Sequence, residues 1–60
     1  MLFLLANCPA GLYYSPENGT CVECPHGTYQ TNQGQKECIH CGQNLTTAMK
    51  GTVEEKDCIG

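Results

Sequence analysis

Two C-x-x-C pairs, at positions 21–24 and 38–41, constrain this chain more than any other feature of its sequence. They enclose thirteen polar and glycine-bearing residues, and one further cysteine lies on each side, at Cys8 and Cys58. A chain of 60 residues buries too little surface to be held by an apolar core alone, so six cysteines predict closure by disulfides or by a metal. The two closures belong to different compartments and different classes of function.

The cysteines also mark an internal repeat. Three units begin at Cys8, Cys24 and Cys41, with a period of 16 to 17 residues. The first two open with C-P-x-G-x-Y, whereas the third lacks the proline and the tyrosine. Proline fixes one φ angle and glycine permits a positive φ, so this opening predicts a tight turn into a short strand. We therefore expect a single cysteine-rich module over residues 8–60, with units 8–23, 24–40 and 41–58.

Turn signals predict the secondary structure within each unit. The Asn18-Gly19 dipeptide predicts a hairpin in the first unit, residues 31–35 supply the equivalent reversal in the second, and Gly51 is the best candidate in the third. Sustained helical periodicity is absent, and residues 46–50 have room for at most one helical turn. The predicted fold class is a small disulfide-rich fold of short β-hairpins and turns, elongated, with little or no helix.

Composition excludes several classes of function. Three lysines, no arginine and six acidic residues give a formal charge of -3, which leaves no basic surface for nucleic acid. The acidic residues near the C-terminus lack the spacing of a calcium loop. Residues 1–6 are apolar but too few to span a bilayer, so we expect no membrane span within this chain. We interpret residues 1–7 as a leader remnant or a fragment boundary.

Zinc is the competing closure. Cysteines 21, 24, 38 and 41 come close to a four-cysteine zinc ribbon, which would make the chain an intracellular zinc-binding interaction domain. Three observations count against it: Cys8 and Cys58 would be left unexplained, both share the repeat spacing, and proline follows Cys24 where a metal knuckle prefers glycine. We therefore expect no metal and no other cofactor.

No catalytic constellation is visible in the sequence. The candidate groups are Ser15, His26 and His40, and nothing places them together. A redox-active C-x-x-C would need a βαβ unit, for which there is no pattern. We expect the two histidines to be exposed turn residues and the chain not to be an enzyme.

Two N-glycosylation sequons are present, Asn18-Gly19-Thr20 and Asn44-Leu45-Thr46. Neither has a central proline, so both asparagines are acceptors in a secreted chain. Asn18 also has a structural role to fill in the hairpin turn. Together the sequons favour an extracellular context.

These motifs resemble a known family. The segments C-P-x-G-x-Y, C-V-E-C-P-H-G-T-Y-Q and G-Q-K-E-C-I-H-C-G are similar to the ephrin-receptor-like cysteine-rich repeat, found in secreted and cell-surface proteins that carry CUB and EGF-like domains. The chain also resembles the tumour necrosis factor receptor cysteine-rich module. The resemblance covers residues 8–58, and its third unit is the weakest part.

The receptor-module resemblance implies a disulfide pairing. It joins Cys8 to Cys21, Cys24 to Cys41 and Cys38 to Cys58. The 16-residue repeat would equally suggest a local ladder, in which each unit closes on itself as Cys24 to Cys38 and Cys41 to Cys58. We expect the interlocked pairing, because it would tie the second and third units into one body, whereas isolated hairpins are marginal.

The resulting interpretation is an extracellular structural and protein-binding module, a fragment of a larger secreted or cell-surface multidomain protein. Its expected partners are a protein ligand or neighbouring extracellular domains. The alternatives are the zinc domain above, which a chelator would unfold, and a small secreted inhibitor or toxin-like peptide.

Overall fold

The computed structural model describes residues 7–60. Residues 1–6, which make up most of the segment interpreted as a leader remnant, lie outside the described residues. Each of the three units folds as one two-stranded antiparallel hairpin. The strands are β1 Leu12–Ser15, β2 Thr20–Glu23, β3 Thr28–Tyr29, β4 Ile39–His40, β5 Thr46–Thr47 and β6 Cys58–Ile59. The overall dimensions are 41 × 19 × 15 Å. The predicted fold class, short hairpins in an elongated body, is confirmed.

The first hairpin follows the Asn-Gly signal. Strands β1 and β2 pair with Tyr13 opposite Val22, and residues 16–19 connect them. The main-chain N–H groups of Asn18 and Gly19 both donate to the carbonyl of Ser15, at 3.2 and 2.7 Å. Gly19 adopts a φ of +67°, a conformation that glycine reaches without steric cost.

The opening of each unit is a tight turn of the kind that the repeat predicts. The main-chain N–H at the fifth position of the unit donates to the carbonyl at the second, and the residue before the donor has a positive φ. We call that residue the turn residue. The three bonds are Leu12 to Pro9 (3.1 Å), Thr28 to Pro25 (3.1 Å) and Leu45 to Gly42 (3.4 Å). The three turn residues are Gly11 (φ +87°), Gly27 (+88°) and Asn44 (+62°).

The third unit therefore keeps the turn although it lacks the C-P-x-G sequence. Asparagine tolerates the left-handed region better than most residues, so Asn44 replaces the glycine. Gly51, the glycine expected to turn the chain, has a φ of +76° in the following loop. Residues 46–47, where one helical turn had room, form strand β5 instead.

The one helical segment of residues 7–60 is a single 3-10 turn, Glu55–Asp57. The half-cystines of the third unit are 17 residues apart, against 14 in the second. The 3-10 turn lies directly before Cys58 and has three residues. It accommodates the extra length of this unit.

The hydrophobic core is as small as the composition predicts. Among the described residues, the buried hydrophobic side chains are those of Cys8 and Cys24, both 0% exposed. Four polar residues are also buried: Ser15, Thr28, Gln30 and Thr47. Cross-links and hydrogen bonds, rather than aliphatic packing, hold this fold together.

Candidate functional site

The three disulfides form a local ladder. Cys8 is bonded to Cys21, Cys24 to Cys38 and Cys41 to Cys58, and the Cα atoms of the pairs are 5.6, 5.9 and 5.6 Å apart. These distances lie in the middle of the range for disulfides. Each bridge closes the hairpin of its own unit.

The pairing implied by the receptor-module resemblance is therefore wrong for two of its three bridges. Cys24 is not joined to Cys41, and Cys38 is not joined to Cys58. The interlocked pairing would have linked the second and third hairpins covalently, and separate hairpins do need a link between units. In this structure the link is supplied by main-chain hydrogen bonds, so the disulfides are free to close single hairpins.

The disulfides leave no free cysteine for the zinc site that the two C-x-x-C pairs offered. Of the four cysteines in the two C-x-x-C pairs, Cys24 and Cys38 are bonded to each other, Cys21 to Cys8 and Cys41 to Cys58. A metal requires thiolates, and a disulfide sulfur is not one. No cluster of three or more histidine, cysteine or acidic side chains suited to a metal occurs within residues 7–60.

Three main-chain hydrogen bonds recur at both contacts between units. The opening cysteine of a unit donates its N–H to the carbonyl of the preceding turn residue: Cys24 to Gly11 and Cys41 to Gly27, both at 2.9 Å. A glycine in the loop of each later unit, which we call the loop glycine, donates to the opening cysteine of the unit before: Gly34 to Cys8 (2.7 Å) and Gly51 to Cys24 (2.8 Å).

The third recurring bond runs in the opposite direction. The residue six positions after the opening cysteine donates to the residue after the loop glycine of the next unit: Tyr14 to Gln35 and Gln30 to Thr52, both at 3.0 Å. The three units thus stack with a repeated geometry. This regularity explains how short hairpins, each marginal alone, form one body.

Gln30 joins all three units. Its main-chain N–H donates to Thr52 in the third unit, and its carbonyl accepts from Gly11 in the first, at 2.8 Å. Its side-chain Nε2 donates to the carbonyl of Glu37 (2.7 Å), and its Oε1 accepts from the N–H of Asn32 (2.9 Å). The residue is 3% exposed. Every polar group of this buried glutamine is paired, as buried polar groups require.

The candidate catalytic residues do not form a site. Ser15 is buried at the first hairpin turn, where its Oγ accepts the N–H of Asn18 at 3.4 Å. His26 lies at the turn of the second unit, as expected, with Nδ1 2.8 Å from the carbonyl of Thr47. His40 is exposed, but it lies in strand β4 rather than in a turn. Each residue has a local structural environment of its own.

Both sequon asparagines are exposed. Asn18 lies at the tip of the first hairpin and Asn44 in the turn of the third unit. Their partner threonines, Thr20 in β2 and Thr46 in β5, are exposed as well. Transfer of a glycan to either asparagine would meet no buried surface.

The large exposed hydrophobic side chains lie in the C-terminal half of the described chain. They are Ile39, Leu45, Met49, Val53 and Ile59, with Met49 the most exposed at 71%. The same part of the chain holds the exposed ion pair of Lys56 and Glu54, 3.7 Å apart, which adds little to stability. Among residues 7–60, no helix has the length and apolarity needed to cross a bilayer.

Comparison with known proteins places this architecture in context. A family model described as "Tyrosine-protein kinase ephrin type A/B receptor-like" matches residues 11–58. The chain is 41% identical over 51 residues to Signal peptide, CUB and EGF-like domain-containing protein 2 of Danio rerio, covering 85% of the chain and 5% of that protein. It is 48% identical over 40 residues to Ephrin type-B receptor 2 of Gallus gallus, covering 65% of the chain and 4% of the receptor.

A third relative is Sushi, von Willebrand factor type A, EGF and pentraxin domain-containing protein 1 of Rattus norvegicus. It is 40% identical over 53 residues, covering 88% of the chain and 2% of that protein. The chain thus spans a small fraction of the proteins it matches. Three disulfides and these relatives make it an extracellular module.

Proposed function

The chain belongs to the ephrin-receptor-like family of cysteine-rich repeats, and on that premise we propose that it serves as a rigid structural and protein-binding module in a larger secreted or cell-surface protein. The observation that carries the structural part is the recurrence of the same inter-unit hydrogen bonds at both contacts. A spacer must hold its ends in a fixed relation, and flexible joints between hairpins would defeat that purpose.

Residual dipolar couplings measured on the oxidised protein test this rigidity. We expect one alignment tensor to fit the amides of all three hairpins. Reduction of the disulfides provides the control, because it should abolish the common tensor. Three independent tensors in the oxidised protein would contradict the spacer function.

The protein-binding part rests on the exposed side chains of the third unit. Met49, Val53 and Ile59 line an open groove of about 480 Å³, together with Glu54 and Asp57. In the second unit, the equivalent groove has Asn32 and Lys36 where the third has Met49 and Val53, and it keeps an isoleucine, Ile39, where the third has Ile59. Because the same fold forms with polar residues at the first two positions, the side chains of Met49 and Val53 are not required for folding. We propose that they contact a neighbouring extracellular domain of the same protein.

Site-specific photo-crosslinking in the full secreted protein tests that contact. A photoreactive residue at position 49 should join to peptides of another domain of the same polypeptide. The matched control places the same residue at position 32, the equivalent point of the polar groove. Equal crosslinking from both positions would contradict the proposal.

We also propose that the module is not catalytic. The hydroxyl of Ser15 is occupied at a hairpin turn, and the ring of His26 faces a carbonyl of the third unit. A catalytic pair requires a nucleophile and a base within hydrogen-bonding reach. These residues have separate structural roles.

N-glycans on Asn18 and Asn44 complete the proposal. Thr20→Val and Thr46→Val each remove one sequon and leave the asparagine in its turn. We expect the intact mass of the secreted protein to fall by one glycan in each variant and to fall to the peptide mass after enzymatic deglycosylation. A mass unchanged by either substitution would show that the corresponding asparagine is not modified.

A further inference from the structure

The tip of the first hairpin holds two neighbouring residues that can react with each other. Asn18 is followed directly by Gly19, and both residues are exposed. The side-chain carbonyl carbon of an asparagine and the main-chain nitrogen of the next residue can join to form a cyclic imide, a succinimide. A side chain on that next residue hinders the ring closure, and Gly19 has none. A Cβ built on Gly19 meets nothing within 4 Å, so no neighbouring group of the described chain crowds this glycine.

The folded hairpin restrains this reaction. The Gly19 nitrogen must lose its proton before it can attack, and in the hairpin its N–H donates to the carbonyl of Ser15 at 2.7 Å. The N–H of Asn18 donates to the same carbonyl at 3.2 Å, so the main chain is held on both sides of the Asn18 side chain. The Cys8–Cys21 bridge closes the same hairpin. The Gly19 nitrogen therefore becomes free to attack only when the turn opens locally.

The other sequon asparagine provides a comparison within the same chain. Asn44 is exposed, as Asn18 is, and it also lies in a turn. It is followed by Leu45, whose side chain hinders attack by the main-chain nitrogen, whereas Asn18 is followed by a glycine. Of the two sequon asparagines, only Asn18 combines exposure with an unhindered neighbour.

We propose that Asn18 is a deamidation site whose rate is set by the opening of the first hairpin. The Gly19 nitrogen forms a bond to the side-chain carbonyl carbon of Asn18, and the bond from that carbon to the amide nitrogen breaks. The amide nitrogen leaves as ammonia, with the Gly19 proton transferred to it through water. Water then opens the succinimide at either carbonyl, which gives aspartate or isoaspartate. The reaction involves no oxidation or reduction, and water is its only co-reactant.

The products differ from the parent hairpin in charge and in main-chain length. Both replace a neutral amide by a carboxylate next to Glu17, which is exposed and acidic. Isoaspartate also adds a methylene to the main chain between the two N–H groups that share the Ser15 carbonyl, which loosens the turn. The reaction consumes the amide nitrogen to which an N-glycan would be attached, so deamidation and glycosylation exclude each other at Asn18.

The experiment uses the full chain made without glycans in an oxidising bacterial periplasm. One sample is incubated in the oxidised form, and a second after reduction and alkylation with a neutral reagent. Peptide mapping by mass spectrometry measures the replacement of the amide NH2 by OH, and enzymatic methylation identifies isoaspartate. We expect Asn18 to convert at least about fivefold more slowly in the oxidised protein, the factor that corresponds to one main-chain hydrogen bond. In the reduced chain, Asn44 should convert at least about tenfold more slowly than Asn18.

Gly19→Ala is the matched variant, because it adds one methyl group at the attacking residue and keeps the Asn-x-Thr sequence. We expect it to slow the conversion of Asn18 by about tenfold in the reduced chain, where any effect of the substitution on folding does not enter. Amide hydrogen exchange of Gly19 in the oxidised wild-type protein measures the opening of the turn directly. Its protection should match the ratio of the deamidation rates in the reduced and oxidised forms.

Equal rates at Asn18 in the oxidised and reduced forms would overturn the control by the hairpin. A rate unchanged by Gly19→Ala, or conversion of Asn44 as fast as that of Asn18, would overturn the assignment of the site. None of these results depends on the groove around Met49, on the rigidity of the module or on the presence of a glycan. The proposal therefore fails separately from the proposed function.

Discussion

Replacement of Gln30 by methionine measures how much the buried glutamine contributes to holding the units together. Methionine keeps an unbranched apolar stem of similar length, but it removes the bonds to the carbonyl of Glu37 and the N–H of Asn32. A neutral hydrogen bond contributes about 1 kcal/mol to stability, so the loss of two is about 2 kcal/mol. Glu37 and Asn32 are exposed, and water can replace the lost partners without a further desolvation penalty.

Thermal unfolding of the oxidised protein, followed by circular dichroism, provides the assay. A loss of about 2 kcal/mol lowers Tm by about 8–16 °C in a domain of this size. Gln33→Met is the matched control, because Gln33 is exposed and its side chain makes no hydrogen bond within the described part of the chain. If the two variants differ in Tm by less than about 2 °C, corresponding to under 0.5 kcal/mol, the role assigned to Gln30 is refuted.

Three further predictions concern the turns and the bridges. Gly11→Ala should destabilise the protein by about 2 kcal/mol more than Gly19→Ala in urea unfolding. A Cβ at Gly11 would lie 2.5 Å from the carbonyl oxygen of Gly51, whereas a Cβ at Gly19 meets nothing within 4 Å. Equal losses of stability in the two variants would contradict this close approach of the main chains. Asn44→Gly should keep or slightly raise Tm, and Asn44→Ala should lower stability by about 1 kcal/mol, because of the two replacements only alanine is strained at positive φ. An alanine variant more stable than the glycine variant would exclude the left-handed turn. Partial reduction with alkylation should recover bridges 24–38 and 41–58, and recovery of a 38–58 bridge would restore the interlocked pairing.

The sequence predicted the hairpins because their signals are local. The Asn18-Gly19 turn needs only a residue at positive φ between two strands, and the C-P-x-G openings need only proline and glycine at fixed offsets. Such features depend on neighbouring residues alone. They were confirmed wherever the signal was strong.

The repeat suggested the local disulfide ladder and the family resemblance the interlocked one, and the choice between them could not be made from local signals, because it depends on how the units contact one another. Gln30, whose main chain bonds to both other units, is an ordinary polar residue in the sequence and carries no periodic or motif signal for burial. Asn44 did carry a signal. It occupies the offset of Gly11 and Gly27 from the opening cysteine, and asparagine is the residue that most readily replaces glycine in a left-handed turn.

The disulfide ladder also limits how far the module can be stretched. A covalent path from Cys8 to Cys58 crosses three bridges of 5.6, 5.9 and 5.6 Å between Cα atoms and two connecting steps of three residues each. At no more than 3.6 Å per residue, this path measures about 39 Å when fully taut. The folded module is itself 41 Å long, whereas the reduced chain between the same residues extends to about 180 Å at the same length per residue. Under tension the oxidised module therefore behaves as a tether of nearly constant length, and reduction would convert it into an extensible one.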